Sequence, residues 1–332
     1  MDLSTSYLGL KIKSPVVVGS SSISSSLKNL KKIEESGAGA VVLKSIFEEE
    51  IYYEYESLVR EELKQEAPNL DYLDYYDYKI KEDNIKKYLG LISEAKKEIN
   101  IPVIASINCT CTHEWQFFVK KVQEAGADAI ELNLFIPPSD FSKDCKEIEN
   151  VYLNLTDKIK GLLDIPVSIK LSYYFSNLAA FIKKLSEKDI QGLVLFNRFF
   201  QPDFDIENFK VIPSSVLSNP SDLPISLRWT SILSGRLSCD LIASTGIHNS
   251  DAVVKQILAG ANAVQVTSVL YKNGIEYVKE LNEGLKSWMK KHNYNKLDDF
   301  RGKMSQINSP NPAEYERVQF MKYFSGKKYD LD

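Results

Sequence analysis

The chain contains few of the residues that bind metals or form disulfides. It has four cysteines and three histidines in 332 residues. No Cys-x-x-Cys pair and no His-x-x-x-His pair is present. We therefore expect neither a structural zinc site nor an iron–sulfur cluster. A chain of this length buries enough apolar surface to fold without disulfides, so a disulfide-stapled scaffold is not expected.

Long apolar runs and excess charge are also missing. The sequence has no run of about 18 apolar residues, and no basic segment followed by an apolar run begins it. We expect no membrane contact, no signal peptide and a cytoplasmic protein. The net charge of −4 gives no attraction to nucleic acid. No G-x-G-x-x-G motif follows the first predicted strand, which argues against a doubly wound dinucleotide-binding sheet.

What the chain does contain is a repeated pattern of glycine followed by a short apolar run. A Gly after a helix suits the left-handed position there, and a continuous apolar run suits a parallel strand buried on both faces. A second group of strands begins with Pro followed by apolar residues. The clearest copies of the first pattern are SGAGAVVLK (36–44), AGADAIELN (125–133) and AGANAVQVT (259–267). Together the patterns predict strands at about 15–19, 40–44, 102–107, 128–134, 166–171, 192–196, 240–244 and 262–267.

Segments with helical spacing of apolar residues lie between these strands. Eight strands alternating with helices predict an α/β protein, a (β/α)8 TIM barrel. We assign the barrel to residues 1–302, with insertions at about 45–83 after strand 2 and 198–224 after strand 6. Residues 303–332 form a tail that packs on the barrel or on a partner. The first insertion is rich in tyrosine and is either a solvated helical segment or a lid over the site.

Polar residues follow the predicted strands, at the end of a barrel where active sites lie. Lys44 and Lys170 are the most informative, because a buried lysine needs an anionic partner. That partner is either a ligand or an acid inside the barrel, such as Glu131. The turns STGIHNSDA and QVTSVLYKNG follow strands 7 and 8. Their position and composition predict a phosphorylated ligand or cofactor.

These residues resemble the dihydroorotate dehydrogenase family of FMN-dependent barrels, and its soluble class 1 type in particular. The resemblance runs from about Leu3 to Gly302. It implies FMN as cofactor, oxidation of dihydroorotate to orotate in pyrimidine biosynthesis, a homodimer and a redox partner protein. It rests on the following segments, which occur in this order along the chain: DLSTSYLGLKIKSPVVVGSSS, VVLKS, ELNLFIPP, VSIKLS, LFNRFFQPDFD, STGI, AGANAVQVTSVLYKNG and DDFRGK.

The resemblance also implies roles for individual residues. It places Lys170 beside the flavin pyrimidine, Lys44 and Ser45 at the flavin and substrate, and both lysines among the catalytic residues. Asn133 and Asn197 would bind substrate or flavin through their side-chain amides. The FMN phosphate would be held by Ser244, Thr245, Gly246, Thr267 and Ser268. The isoalloxazine ring would lie near Ser20 and Ser21.

Three positions depart from the family pattern. The family's catalytic base, a Cys or Ser after strand 4, is replaced by Ile136, which cannot accept a proton. A following Asn is replaced by Pro138, and the usual small hydroxyl residue after Asn197 is replaced by Arg198. Either Cys109 or Cys111 supplies the base, or the substrate is a different planar or anionic compound.

In the second case Arg198, Lys44 and Lys170 would favour that compound. Two further alternatives are a non-catalytic flavin-binding or electron-transfer subunit, and a flavin-free barrel that acts on a sugar phosphate through a Schiff base on Lys170.

Overall fold

Eight parallel strands close into a barrel in the computed structural model, which describes residues 1–47, 70–108, 115–136, 138–199 and 201–316. Each strand pairs with the next along the chain, and the last pairs with the first, as Val264 with Val16. The predicted TIM barrel is confirmed, and each barrel strand coincides with a predicted one. The strands are Val16–Val18, Ala40–Val42, Val103–Asn108, Ala129–Asn133, Val167–Leu171, Gly192–Leu195, Asp240–Ser244 and Ala263–Val266.

Helices cover the outside of the barrel. Asn249 caps one of them through its side chain, which accepts a hydrogen bond from the backbone N–H of Ala252, and Gly260 ends that helix with a φ of 116°. Both residues follow the usual chemistry of helix ends. The helices are Leu27–Glu35, Leu70–Glu98, Trp115–Glu124, Cys145–Lys160, Leu178–Ser186, Leu223–Leu233, Ser250–Ala259, Ser268–Asn273 and Tyr277–Lys291. Among the described helices, none is both long enough and apolar enough to cross a membrane.

Alternate residues of each strand point into the barrel, and these inward positions are apolar near the N-terminal ends of the strands. An antiparallel hairpin, Thr5–Tyr7 with Leu10–Ile12, lies across that end. Its buried Leu8 packs with inward side chains such as Val194 and Ile242. The hairpin closes this end of the barrel, so a ligand must enter from the C-terminal ends of the strands.

The two predicted insertions differ in what can be described. From the first, the structure describes residues 45–47 and the start of the helix Leu70–Glu98, which ends shortly before the third barrel strand at Val103. The remainder and its tyrosine side chains lie outside the described residues, so the choice between lid and solvated segment stays open. The second forms an antiparallel hairpin, Pro202–Asp205 with Lys210–Pro213, whose Phe209 is 93% exposed.

The described part of the tail continues along the barrel. The backbone N–H of Met304 donates to the carbonyl of Leu258 at 2.8 Å, and Asn308 donates to the carbonyl of Gly302 at 2.9 Å. Two 3₁₀ turns follow, Gln306–Asn308 and Pro312–Tyr315. This part of the tail therefore packs on the barrel, while residues 317–332 lie outside the described chain.

Gly192 provides a test of the closed end of the barrel. A Cβ at this position would lie 2.2 Å from Cδ2 of Leu8 and 2.9 Å from Cδ1 of Ile242. We expect Gly192→Ala to lower the free energy of unfolding by about 1–3 kcal/mol, because the packed interior must shift. The control is Gly90→Ala, since a Cβ at Gly90 meets nothing within 4 Å. That change should raise stability by about 0.5–1 kcal/mol. Urea unfolding measures the free energy of unfolding of both variants. An unchanged value for Gly192→Ala would contradict the close packing at this position.

Candidate functional site

A cavity of about 510 Å³ lies at the C-terminal ends of the strands. Nine of the residues predicted from the sequence line it: Ser20, Lys170, Asn197, Arg198, Ser244, Thr245, Gly246, Thr267 and Ser268. Residues that were not predicted complete the wall: Val216, Leu217, Ser218, Ile247, Gln265, Val266 and Tyr271. The predicted strand ends therefore do meet around one space.

Lys170 is the buried cation of this cavity. It lies on the fifth barrel strand, and its inward position leaves it 8% exposed. Its Nζ donates to Oε1 of Gln265 at 3.1 Å and lies 3.7 Å from Oε1 of Glu131, which is fully buried. The ion pair inside the barrel, which the sequence left as one alternative, is present. Because Lys170 also lines the cavity, the same ammonium group can serve an anionic ligand.

Gln265 connects the ion pair to the closed end of the barrel. Its Nε2 donates to Oε2 of Glu131 and, at 3.2 Å, to the hydroxyl of Tyr7. Burial and then the charge of Glu131 raise the pKa of Tyr7 well above its usual value, so this hydroxyl is neutral. Oε1 of Glu131 is buried with no hydrogen bond from the described residues. Gln265 thus holds the carboxylate in place through Oε2, while Oε1 has room for a further hydrogen bond.

A chain of serine hydroxyls crosses the ends of the first three strands. Oγ of Ser20 lies 3.0 Å from Oγ of Ser45 and accepts a hydrogen bond from the backbone N–H of Ser45. Oγ of Ser45 lies 2.7 Å from Oγ of Ser106. The hydroxyl of Tyr88 accepts from the N–H of Ser106 and donates to its carbonyl. Ser45 therefore acts on the cavity through Ser20, which lines it.

The turn after the seventh strand has an unusual backbone. Thr245 and Gly246 have φ values of 74° and 80°. A Cβ on Gly246 would lie 2.2 Å from the backbone nitrogen of Leu223, so no other residue fits there. Oγ1 of Thr245 donates to the carbonyl of Phe196 at 2.9 Å, and both residues of the turn line the cavity. Such a turn suits an anionic group.

The turn after the eighth strand contacts the second insertion. Oγ of Ser268 accepts the N–H of Ser218 at 3.0 Å, and its own hydrogen remains available for a ligand. Oγ of Ser218 lies 3.0 Å from Nε2 of His248, and Lys272 donates to the carbonyl of Ser218. Burial, and then the charge of Lys272, lower the pKa of His248. This end of the cavity is built from hydroxyl and backbone donors beside one lysine.

The two predicted asparagines are paired. Nδ2 of Asn197 donates to Oδ1 of Asn133 at 2.7 Å, and Oδ1 of Asn197 accepts the N–H of Arg198. A smaller cavity of about 40 Å³ shares Asn197, Arg198, Ser244 and Thr245 with the larger one. Half of its remaining lining residues are aromatic, namely Tyr173, Tyr174, Phe196 and Phe199. This is the region in which the sequence predicted substrate binding.

The loop after the fourth strand presents apolar side chains. The N–H of Ile136 donates to the hydroxyl of Tyr152 at 2.9 Å, and the burial of Tyr152 raises its pKa. Phe135 stacks on Phe199 with ring centroids 3.8 Å apart. Ile136 itself packs against the core. Position 136, for which the sequence predicted the loss of a proton-accepting side chain, therefore carries a fixed apolar side chain.

Some predicted residues are not brought into the cavity wall. Ser21 caps the 3₁₀ turn Ser22–Ser24, and Lys44 is half-buried and engaged in an interaction of its own. Neither lines the large cavity. Cys109 and Cys111 lie outside the described residues, so their role as a base stays a prediction.

Two important residues were not predicted, for different reasons. Gln265 lies two positions before Thr267 and so faces inward with it. The two-residue period of a strand could have identified it. Ser218 belongs to the second insertion, where no period indicates which side chains turn toward the barrel.

Residues 71–289 match the family model for dihydroorotate dehydrogenase. The chain belongs to the dihydroorotate dehydrogenase family. The resemblance inferred from the sequence is confirmed, and the chain is an oxidoreductase of this family.

Relatives named catalytic subunit of dihydroorotate dehydrogenase B (NAD(+)) are similar over nearly their whole length. The protein from Thermoplasma volcanium is 27% identical, over 91% of this chain and 98% of its own length. The protein from Pyrococcus abyssi is 28% identical, over 90% and 98%. The protein from Staphylococcus carnosus is 23% identical, over 90% and 96%.

The ion pair inside the barrel can be tested by a double-mutant cycle. We expect Glu131→Gln to lower the free energy of unfolding by about 3 kcal/mol, because Lys170 is left as a buried unpaired charge. Adding Lys170→Met should recover part of this loss, since the unpaired charge is then removed. Urea unfolding of the two single variants and the double variant measures the coupling. Strictly additive losses would show that the two groups do not interact.

Proposed function

We propose that this chain binds FMN in the 510 Å³ cavity and oxidises a CH–CH bond of its substrate, with FMN as the acceptor of the hydride. The observation that carries the proposal is that buried Lys170 and the turns after strands 7 and 8 line one cavity. Its volume lies in the range of about 300–1,000 Å³ that is typical of ligand and cofactor sites. Membership of the dihydroorotate dehydrogenase family supports the same cofactor.

The residues present fit FMN. The backbone of the cavity-lining turn at Thr245 and Gly246, with the hydroxyls of Thr267 and Ser268, would hold the phosphate. Lys170 would lie at the pyrimidine end, where a fixed positive charge stabilises added negative charge. Ser244 lines the wall between these two ends, and Ser20 would pass beside the ring system. Bound FMN would supply the hydride acceptor.

The substrate is proposed to lie between the asparagine pair and the aromatic wall. Asn133 and Asn197 fix each other, so their remaining amide atoms have defined directions. The rings of Tyr173, Tyr174 and Phe199 favour a planar compound. Dihydroorotate remains the reference substrate because of the family. Since Ile136 cannot accept a proton, we propose that dihydroorotate is oxidised slowly or that a different planar or anionic compound is the true substrate.

Other features of the protein are also part of this proposal. The relatives named catalytic subunits imply that they work with a further subunit. We therefore propose a redox partner protein for this chain, together with a homodimer and a cytoplasmic location. Cys109 remains the proposed alternative base.

One observation favours a second candidate, a flavin-binding or electron-transfer subunit without dehydrogenase activity. It is the apolar loop at Ile136, which removes the family's proton acceptor. The Schiff-base alternative receives less support. A nucleophilic lysine must be a neutral amine, whereas Lys170 is beside the buried carboxylate of Glu131.

Cofactor binding gives the first test. The purified protein is expected to take up FMN, quench its fluorescence and show flavin absorbance. We expect Lys170→Met to weaken FMN binding about tenfold and to lower the reduction potential of the flavin, because a nearby positive charge is lost. Lys183→Met, on the outer surface, is the matched control. Titration and potentiometry measure the two effects, and a protein that never binds FMN would refute the proposal.

The base position gives the second test. On anaerobic mixing with dihydroorotate, the FMN-loaded protein should lose flavin absorbance slowly or not at all. Ile136→Cys should accelerate this loss, increasingly as the pH rises toward the thiol pKa of about 8.5. Ile136→Val is the control without a proton acceptor. Rapid loss of absorbance in the unaltered protein would overturn the altered-substrate proposal, and stopped-flow spectroscopy decides.

A further inference from the structure

Arg198 makes its contacts inside the second insertion. Its Nη1 donates to the carbonyl of Ser215 at 2.5 Å and to that of Val216 at 3.0 Å. Its Nη2 lies 3.5 Å from Oε1 of Gln201, and its Nε lies 3.6 Å from the carboxylate of Asp222. The side chain is 16% exposed. Carbonyls and a carboxylate thus surround the guanidinium group.

The carbonyls belong to a stretch that covers the large cavity. We call residues 214–219 the cover segment, since its residues Val216, Leu217 and Ser218 line that cavity. Val216 is 79% exposed, so apolar packing does little to hold this part of the segment. The other end is fastened at Ser218, which bonds to Ser268, His248 and Lys272.

We propose that Arg198 is a positioning residue that fastens the cover segment over the cofactor cavity, and that it does not bind a substrate anion. The proposal rests on the proposed function only for the identity of the ligand beneath the cover. Arg198 and Ser218 hold the two ends of the segment. Between them the segment forms one wall of the cavity.

The chemistry of arginine suits this role. Its planar guanidinium has five donors in a fixed arrangement and can bind two carbonyls and a carboxylate at once. Asp222 offsets the positive charge and also accepts the N–H of Asn219 at 2.9 Å, which ties it to the end of the cover segment. A small hydroxyl residue at position 198 could reach none of these carbonyls. The replacement therefore adds a contact to the fold.

Binding of a substrate anion is the competing role for Arg198. Nη1 serves both carbonyls, so an anion would have to bind at Nη2 and Nε, where the carboxylate of Asp222 already lies 3.6 Å from Nε. Turning Nη1 toward an anion would cost both carbonyls a charge-assisted hydrogen bond. The observed contacts favour the fastening role.

The test compares Arg198→Met, which keeps the length, and Arg198→Lys, which keeps the charge, with Arg236→Met as a control. Arg236 is exposed at the end of an outer helix, where it donates to the carbonyl of Ile232. The first measurement is amide hydrogen exchange by mass spectrometry in the unliganded protein. The second is the rate of FMN release after loading.

With Arg198→Met we expect exchange at Ser214 and Ser218, whose N–H groups are hydrogen-bonded, to accelerate at least about tenfold, with the strand Asp240–Ser244 unchanged. FMN release should accelerate about tenfold, and Arg198→Lys should restore part of both effects. Arg236→Met should change neither.

Unchanged exchange at Ser214 and Ser218, or faster exchange throughout the barrel, would overturn the fastening role. Because exchange is measured without FMN, it tests Arg198 even if the protein never binds the flavin. A protein that never binds FMN would refute the proposed function but not the fastening role of Arg198. A large rise in KM for an anionic substrate with unchanged exchange would instead assign Arg198 to substrate binding.

Discussion

The buried charge of Lys170 constrains the rest of the site. An ammonium group inside a barrel is tolerated only with a carboxylate or a ligand beside it. Glu131 supplies the carboxylate from the neighbouring strand, and Gln265 holds both partners in place. Apolar packing around Leu8 closes the barrel below. The cation can therefore act only toward the cavity, so the proposed position of the cofactor follows from how this charge is accommodated.

A second region of the same barrel differs in chemistry from the turns after the last two strands. The turns around Thr245 and Ser268 carry hydroxyl groups, which suit a phosphate. The loop at Ile136 is apolar and is held by Tyr152 and by the stack of Phe135 on Phe199. A cofactor needs fixed charge and donors, whereas a substrate that loses a proton also needs a base. Under the proposed function, one half of the site would therefore persist while the other takes a different substrate.

The sequence predicted what depends on local period and missed what depends on distant contacts. Each barrel strand is an apolar run between glycine, proline and polar residues, so the strands could be predicted, as could the inward lysine at position 170. Gln265 was missed, although it lies two residues before Thr267 and the two-residue alternation of a strand turns both side chains toward the barrel interior. Ser218 and the partners of Arg198 could not be predicted, because Arg198 meets Ser215 and Val216 only after the hairpin Pro202–Asp205 with Lys210–Pro213 has turned the chain back.

Arg198 also shows how a change outside the barrel strands can reach the substrate. Its N–H donates to Oδ1 of Asn197, and its guanidinium binds the cover segment. One residue thus connects the side-chain amide of Asn197 to the cover segment. A shift of the cover segment would be transmitted through the backbone at Arg198 to Asn197 and Asn133. Because surface loops in general tolerate variation, changes in the second insertion would then alter the proposed substrate site while the charges inside the barrel stay in place.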